Sequence, residues 1–162
     1  MVTASSFNYS VIYLNGFNVM SSGKVHTNVT YGTVPVVGLI SYFYTGDPSL
    51  ALSVALGCTT GLWLNPDLDI ERSMPTQRWK EFAFIWRPYQ KLFHHHGNFF
   101  RRNFWTHCPI VGMSLRVWPL VLILFYLEPT HAIYTAYGLI GLLVNDCVHL
   151  ICDISKSYIG AP

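Results

Sequence analysis

The chain has 162 residues, of which 51% are apolar, 15% aromatic and only 11% Asp, Glu, Lys or Arg, with a formal net charge of +2 and a mean hydropathy of +0.33. Soluble domains carry about 25% charged residues, so this composition lacks the groups that keep a surface in water, and the length favours one domain. So small a net charge, with no dense basic stripe, argues against a nucleic-acid partner.

Residues 1–19 carry no charge and are rich in Ser, Asn and Tyr, which reads as a weakly ordered extension. A secretory leader needs a basic segment ahead of its apolar run, and the first positive charge here is Lys24. Met20, followed by Ser-Ser-Gly-Lys, is an alternative start. A single helical membrane domain is expected over residues 20–157, with a short tail at 158–162.

Four apolar stretches follow. They are Val29–Gly46, Pro48–Pro66, Val117–Leu127 extended back past Arg116 towards Ile110, and Pro129–Asn145 continuing as Cys147–Cys152 after Asp146. A membrane span takes about 20 residues, with a range of about 17–25, so these runs lie at the short end. The expected fold is all-α: four short transmembrane helices in a bundle. A very apolar soluble bundle is the alternative, since runs this short also suit buried core helices.

Charge placement bears on topology. Of the ten Lys and Arg residues, seven (Arg72, Arg78, Lys80, Arg87, Lys91, Arg101 and Arg102) fall between the second and third runs. Lys24 precedes the first run and Lys156 follows the fourth, while Asp47 and Glu128 are the charges of the other two connections. The positive-inside rule then places both termini and the middle loop in the cytoplasm, as four spans of an inner or cytoplasmic membrane require.

Within that loop Trp79, Phe82, Ile85, Trp86, Tyr89 and Phe93 recur at helical spacing, opposite Lys80, Arg87 and Lys91. The pattern predicts an amphipathic helix lying in the membrane interface or packed on the protein, kinked or split by Pro88. The four cysteines, Cys58, Cys108, Cys147 and Cys152, form no CxxC pair, and buried free thiols are the expectation.

The chemistry-bearing residues collect at one membrane face. His26 lies just before the first run, Asp67 and Asp69 follow the second, His107 precedes the third, and His149 and Asp153, four residues apart on one helix face, close the fourth. Three imidazoles and three carboxylates suit one or two divalent ions, zinc or manganese above all, with iron also compatible. Asp67 or Asp69 is the expected bridge between two ions sharing one activated water. Arg102, with Arg101, stands ready to hold an anionic substrate group. His94, His95 and His96 form a basic-loop run whose members point in different directions on a helix, so one of them, His95 or His96, rather than all three is expected at the site.

The ordered motifs Ser-Gly-Lys24-Val-His26, Pro66-Asp67-Leu-Asp69, Thr106-His107-Cys-Pro109-Ile-Val-Gly112 and His149-x-x-x-Asp153 resemble an uncharacterised family of metal-binding membrane proteins. More distantly they are similar to inner-membrane-associated metal-dependent hydrolases. The resemblance runs from about Met20 to Ser157 and includes Trp86-Arg87-Pro88-Tyr89-Gln90-Lys91-Leu92. It implies helical spans and His26, Asp67, Asp69, His107, His149 and Asp153 as metal ligands. Those relatives place a His-Arg pair shortly before the Thr-His or Ser-His step, where this chain has Arg101 and Arg102.

Two functions are carried forward. In the first the protein is a membrane-bound metal-dependent hydrolase of a membrane-proximal phosphoester-like bond, with Asp67, Asp69 and Arg102 as catalytic residues. In the second it is a non-catalytic membrane protein whose metal, or His/Asp network, fixes helix ends. The lipid bilayer is the expected partner of both.

Overall fold

Residues 23–93, 104–127 and 131–159 are described by the structure, a computed structural model. The expectations for residues 1–19, for His94–His96, for Arg101 and Arg102, and for the tail beyond residue 159 lie outside them. The helices are α1 (Gly23–Thr45), α2 (Pro48–Leu64), α3 (Met74–Arg78), α4 (Arg87–Phe93), α5 (Phe104–His107), α6 (Pro109–Leu127) and α7 (Ala132–Ile159), with 3-10 turns over Pro66–Asp69 and Lys80–Trp86. No strand occurs among the described residues.

The four long helices stand where the apolar runs predict them, and local chemistry sets their ends. Gly46 takes a φ of 67° at the corner after α1, a left-handed conformation that a side chain disfavours. Asp47 then caps α2, its carboxylate accepting from the amides of Ser49 and Leu50 at 2.7 and 3.3 Å, and Pro48 fills the first helical position. Of the four, α7 over Ala132–Ser155 is long and apolar enough to cross a membrane. α1 has 23 residues but opens on Lys24, His26, Thr27, Asn28 and Thr30, while α2 and α6 have 17 and 19. Four helices are therefore present, and one of them meets the length and composition of a span among the described residues.

α2 lies between α1 and α7, and small residues set the second contact. A Cβ added at Gly57 would collide with the Gly138 backbone, one at Gly141 with the Val54 carbonyl, and one at Gly61 with the Asn145 side chain. Absent side chains let the two backbones approach closely and gain dispersion contacts along the crossing. Thr30 donates to Asn145 Oδ1 at 2.7 Å, which brings α1 to the same level of α7.

The segment after α2 is tied back to it by side chains. Arg78 donates to the Leu62 carbonyl at 2.5 Å and to the Thr27 hydroxyl at 2.6 Å, and the Trp79 indole donates to the Trp63 carbonyl at 3.0 Å. The buried Gln90 donates to the Leu68 carbonyl at 2.9 Å. Leu64, Leu68, Trp86, Val117 and Leu142 form the apolar core at this end, with Trp79 and Tyr89 packed against it.

The amphipathic helix expected over Trp79–Phe93 is split next to Pro88, its first part being a 3-10 turn, Lys80–Trp86, and its second α4. Lys80 opens the turn at a φ of 49°. Pro88 has no N–H for the Phe84 carbonyl, and the Arg87 amide takes that acceptor in the tighter 3-10 pattern. With about three residues per turn, Trp86 turns inward while Phe82, Phe84 and Ile85 face out. The apolar residues of the segment thus divide between core and surface.

Candidate metal centre

Each site residue is delivered by a helix end or a short turn. His26 sits in the first turn of α1. Asn65 ends α2 and starts the Pro66–Asp69 turn, its side-chain oxygen accepting from the Asp67 amide at 3.1 Å. The whole turn, with Asp67 and Asp69, is buried. His107 ends α5, and His149 and Asp153 lie four residues apart on α7.

These groups meet. Asp153 reaches two rings, with Oδ1 3.1 Å from His26 Nε2 and Oδ2 3.3 Å from His149 Nε2. Asp67 Oδ1 lies 3.5 Å from His149 Nε2 and 4.0 Å from His107 Nε2. The rings of His26 and His149 stack with centroids 3.9 Å apart, and those of His107 and His149 stand 6.4 Å apart. His26, Asp67, His107, His149 and Asp153 are all buried.

Asp69 plays a different part in this geometry. Its Oδ2 accepts from the Thr106 hydroxyl at 2.8 Å, and Thr106 Oγ1 lies 2.9 Å from His107 Nδ1. One hydroxyl carries one proton, so Thr106 gives it to Asp69 and accepts from His107 Nδ1–H. That tautomer leaves the lone pair of His107 Nε2 directed to the Asp67 side. Asp69 and Thr106 are both completely buried.

Burial by itself would raise the Asp67 carboxyl, but the charge of the facing His149 outweighs burial and holds Asp67 well below the usual carboxylate range. Below the cluster Arg116 pairs with Asp146, both side chains fully buried. Burial pushes the nearby Tyr89 phenol up to about 12, against the opposing pull of Arg116.

A divalent ion fits this donor set. His26 Nδ1, Asp67 Oδ1 and His149 Nε2 are buried and make no hydrogen bond among the described residues, a costly state for polar atoms unless a cation satisfies them. Ligands bonded to one ion at about 2.0–2.2 Å stand roughly 3–4 Å from one another, and the separations from the His149 and His107 Nε2 atoms to the Asp153 and Asp67 carboxylates are 3.3, 3.5 and 4.0 Å. Two overlapping triads, His26–Asp67–His149 and His107–His149–Asp153, each bring ligand atoms within 4.8 Å. The expected Arg102 lies outside the described residues. Sequence reasoning gave no role to Thr106 or Arg116; a lone base inside one apolar run and a lone acid, Asp146, inside another were the signal for the latter.

Fold and site together define a helical protein with a buried imidazole–carboxylate cluster suited to a metal ion. The chain belongs to the family described as "Uncharacterized metal-binding protein (DUF2227)", which it matches over residues 21–137. That stretch contains His26, Asp67, Asp69 and His107 and stops before His149. The chain is also 28% identical, over 128 aligned residues covering 60% of this chain and 84% of the relative, to an "Uncharacterized protein" of Aquifex aeolicus (strain VF5). No solved structure gives a significant match.

Proposed function

We propose that the protein binds one divalent ion, zinc or manganese, through His26, Asp67, His107, His149 and Asp153, and is a metal-dependent hydrolase of phosphoester-like bonds at a membrane surface. The observation that carries the reading is the convergence of five buried donors from four separate parts of the chain. A single ion is favoured over two because both triads depend on His149, whose Nε2 faces Asp67 and Asp153 alike. Structural zinc sites are rich in thiolate, whereas catalytic ones use imidazole and carboxylate. Here Cys108 and Cys152 adjoin ligands, yet neither belongs to a triad.

A bound ion would supply Lewis acidity and bring a water towards ionisation near neutral pH. The chain's own residues do the rest. Asp67 and Asp153 place negative charge beside the imidazoles, Asp69 holds Thr106 and through it His107, and Arg102 supplies a cation for the anionic substrate group.

The bilayer as partner is supported by an outer surface that is apolar where a soluble bundle would be charged. Leu39, Ile40 and Phe43 on α1, Leu52 and Leu56 on α2, Trp118, Leu122 and Leu124 on α6, and Ile133 and Ile140 on α7 are all exposed. His149 lies about 25 Å along α7 from its start, so if α7 spans a hydrocarbon layer about 30 Å thick the site falls at one edge of it. On this reading the positive-inside rule, applied to the basic residues, favours both termini on the cytoplasmic side.

A second reading, an ion that only staples helix ends, is favoured by the burial of every donor. Elemental analysis of the purified wild type beside His149→Ala tests metal binding, with about one ion per chain expected in the wild type alone. No stoichiometric transition metal in the wild type ends the proposal. Turnover of a phosphoester panel, lost in Asp69→Asn at unchanged metal content, separates hydrolase from staple.

A further inference from the structure

We infer that Arg116 is a positioning residue of the metal centre: its guanidinium, paired with Asp146 and bonded to the Thr106 carbonyl, sets His107 against His149. The inference rests on the metal-binding reading above and adds a residue outside the ligand set. Arg116 is 2% exposed. Its Nη2 pairs with Asp146 Oδ2, and its Nη1 donates to the Thr106 carbonyl at 3.1 Å.

Each contact touches a ligand's own anchorage. Thr106 precedes His107 and fixes its tautomer through the hydroxyl, while the carbonyl of the same residue is held by Arg116. Asp146 lies three residues before His149, on nearly the same face of α7. One planar, rigid fork therefore joins the α5–α6 corner to α7 immediately beside two donors. Gly112 lets the corner close, since a Cβ there would collide with the Thr106 carbonyl. Arg116 follows one turn later on α6, within reach of that same carbonyl.

Stability alone does not account for such a pair. A fully buried ion pair loses most of its attraction to desolvation, and apolar replacement of both partners is often neutral or stabilising. Charges within apolar helices are costly and are retained where they serve a site. The His107–His149 relationship is what this pair fixes.

The test uses the full chain in detergent, comparing wild type, Arg116→Met/Asp146→Leu and Arg116→Lys. The readouts are thermal unfolding, Co(II) affinity and absorption spectrum, and the ring nitrogen signals of His107 in the metal-free protein. The apolar pair is expected to unfold at or above the wild-type temperature. It should bind Co(II) roughly 10–100-fold more weakly, with an altered spectrum and mixed His107 tautomers. Arg116→Lys, which keeps the charge and loses the fork, is expected to weaken Co(II) binding by about 10-fold, and it carries the test should the apolar pair not fold. Wild-type affinity, spectrum and tautomer in the variants would overturn the inference. If the wild type takes up no Co(II), the metal reading fails, and an unmixed His107 tautomer in the variants then sinks the positioning role separately.

Discussion

His26 and His149 stack face to face, with ring centroids 3.9 Å apart and planes 18° from parallel, although one belongs to the first helix and the other to the last. Asp153 touches both, so the two imidazoles share one carboxylate. His149 belongs to both ligand triads and His26 to one. His149→Ala is therefore expected to weaken Zn(II) binding by at least roughly 100-fold and His26→Ala by less, loss of a ligand costing no less than loss of its supporting partner. Competition titration against a chelator measures both.

Thr106 gives a conservative test of the tautomer argument. Thr106→Val keeps the shape and removes the hydroxyl between Asp69 and His107, and a loss of roughly 10–100-fold in metal affinity is expected. Thr106→Ser should restore most of it. Equal affinity in all three proteins would remove the hydroxyl from the account.

The α2–α7 crossing should be intolerant of a single methyl group. In Gly57→Ala the new Cβ meets the Gly138 backbone, which cannot rotate away as a side chain would. A destabilisation of about 1–3 kcal/mol is expected, read as a lower unfolding temperature. Because α2 leads through Asn65 into the turn that carries Asp67 and α7 carries His149, metal affinity should fall in the same variant. Gly32→Ala on α1, where nothing lies within 4 Å, is the control.

The acid limb of stability carries the sign of Asp67. Its carboxyl is held below the ordinary range in the folded, metal-free protein. It therefore contributes stability that is present above the unfolded-state value of about 3.9 and is lost as pH falls through the lower folded value. Asp67→Asn should flatten the fall in unfolding temperature on acidification below about pH 4. An unchanged acid limb would show that the His149–Asp67 attraction contributes nothing to folding.

Lipid contact can be read from one indole. Trp118 is 58% exposed on the outer face of α6, and in a variant retaining it as the single Trp, brominated acyl chains are expected to quench its fluorescence. Quenching by aqueous iodide instead would place α6 in water and end the spanning proposal.

How far the sequence anticipates this arrangement differs by element. The long helices were legible because Asp47-Pro48 and Cys108-Pro109 punctuate apolar runs, and the turn residues act locally. The gathering of His26, Asp67, His107, His149 and Asp153 was legible as a set of helix-end positions, since few other imidazoles and carboxylates border those runs. The division of labour between Asp67 and Asp69 was not, because it depends on which carboxylate meets Thr106. Nor was the Arg116–Asp146 pair, whose partners lie on different helices and meet only once their register is fixed. The 3-10 turn before α4 was hidden for another reason: Trp79, Phe82 and Ile85 fit a period of three as well as one of 3.6.

Asn65 closes one helix and opens the turn that carries Asp67, with a single amide oxygen doing the joining. No slack residue separates the two, so α2 is a shaft whose seating against its neighbours sets where the carboxylate stands. A spin label far out on that shaft, at Ser53, should consequently register cation uptake at the other end.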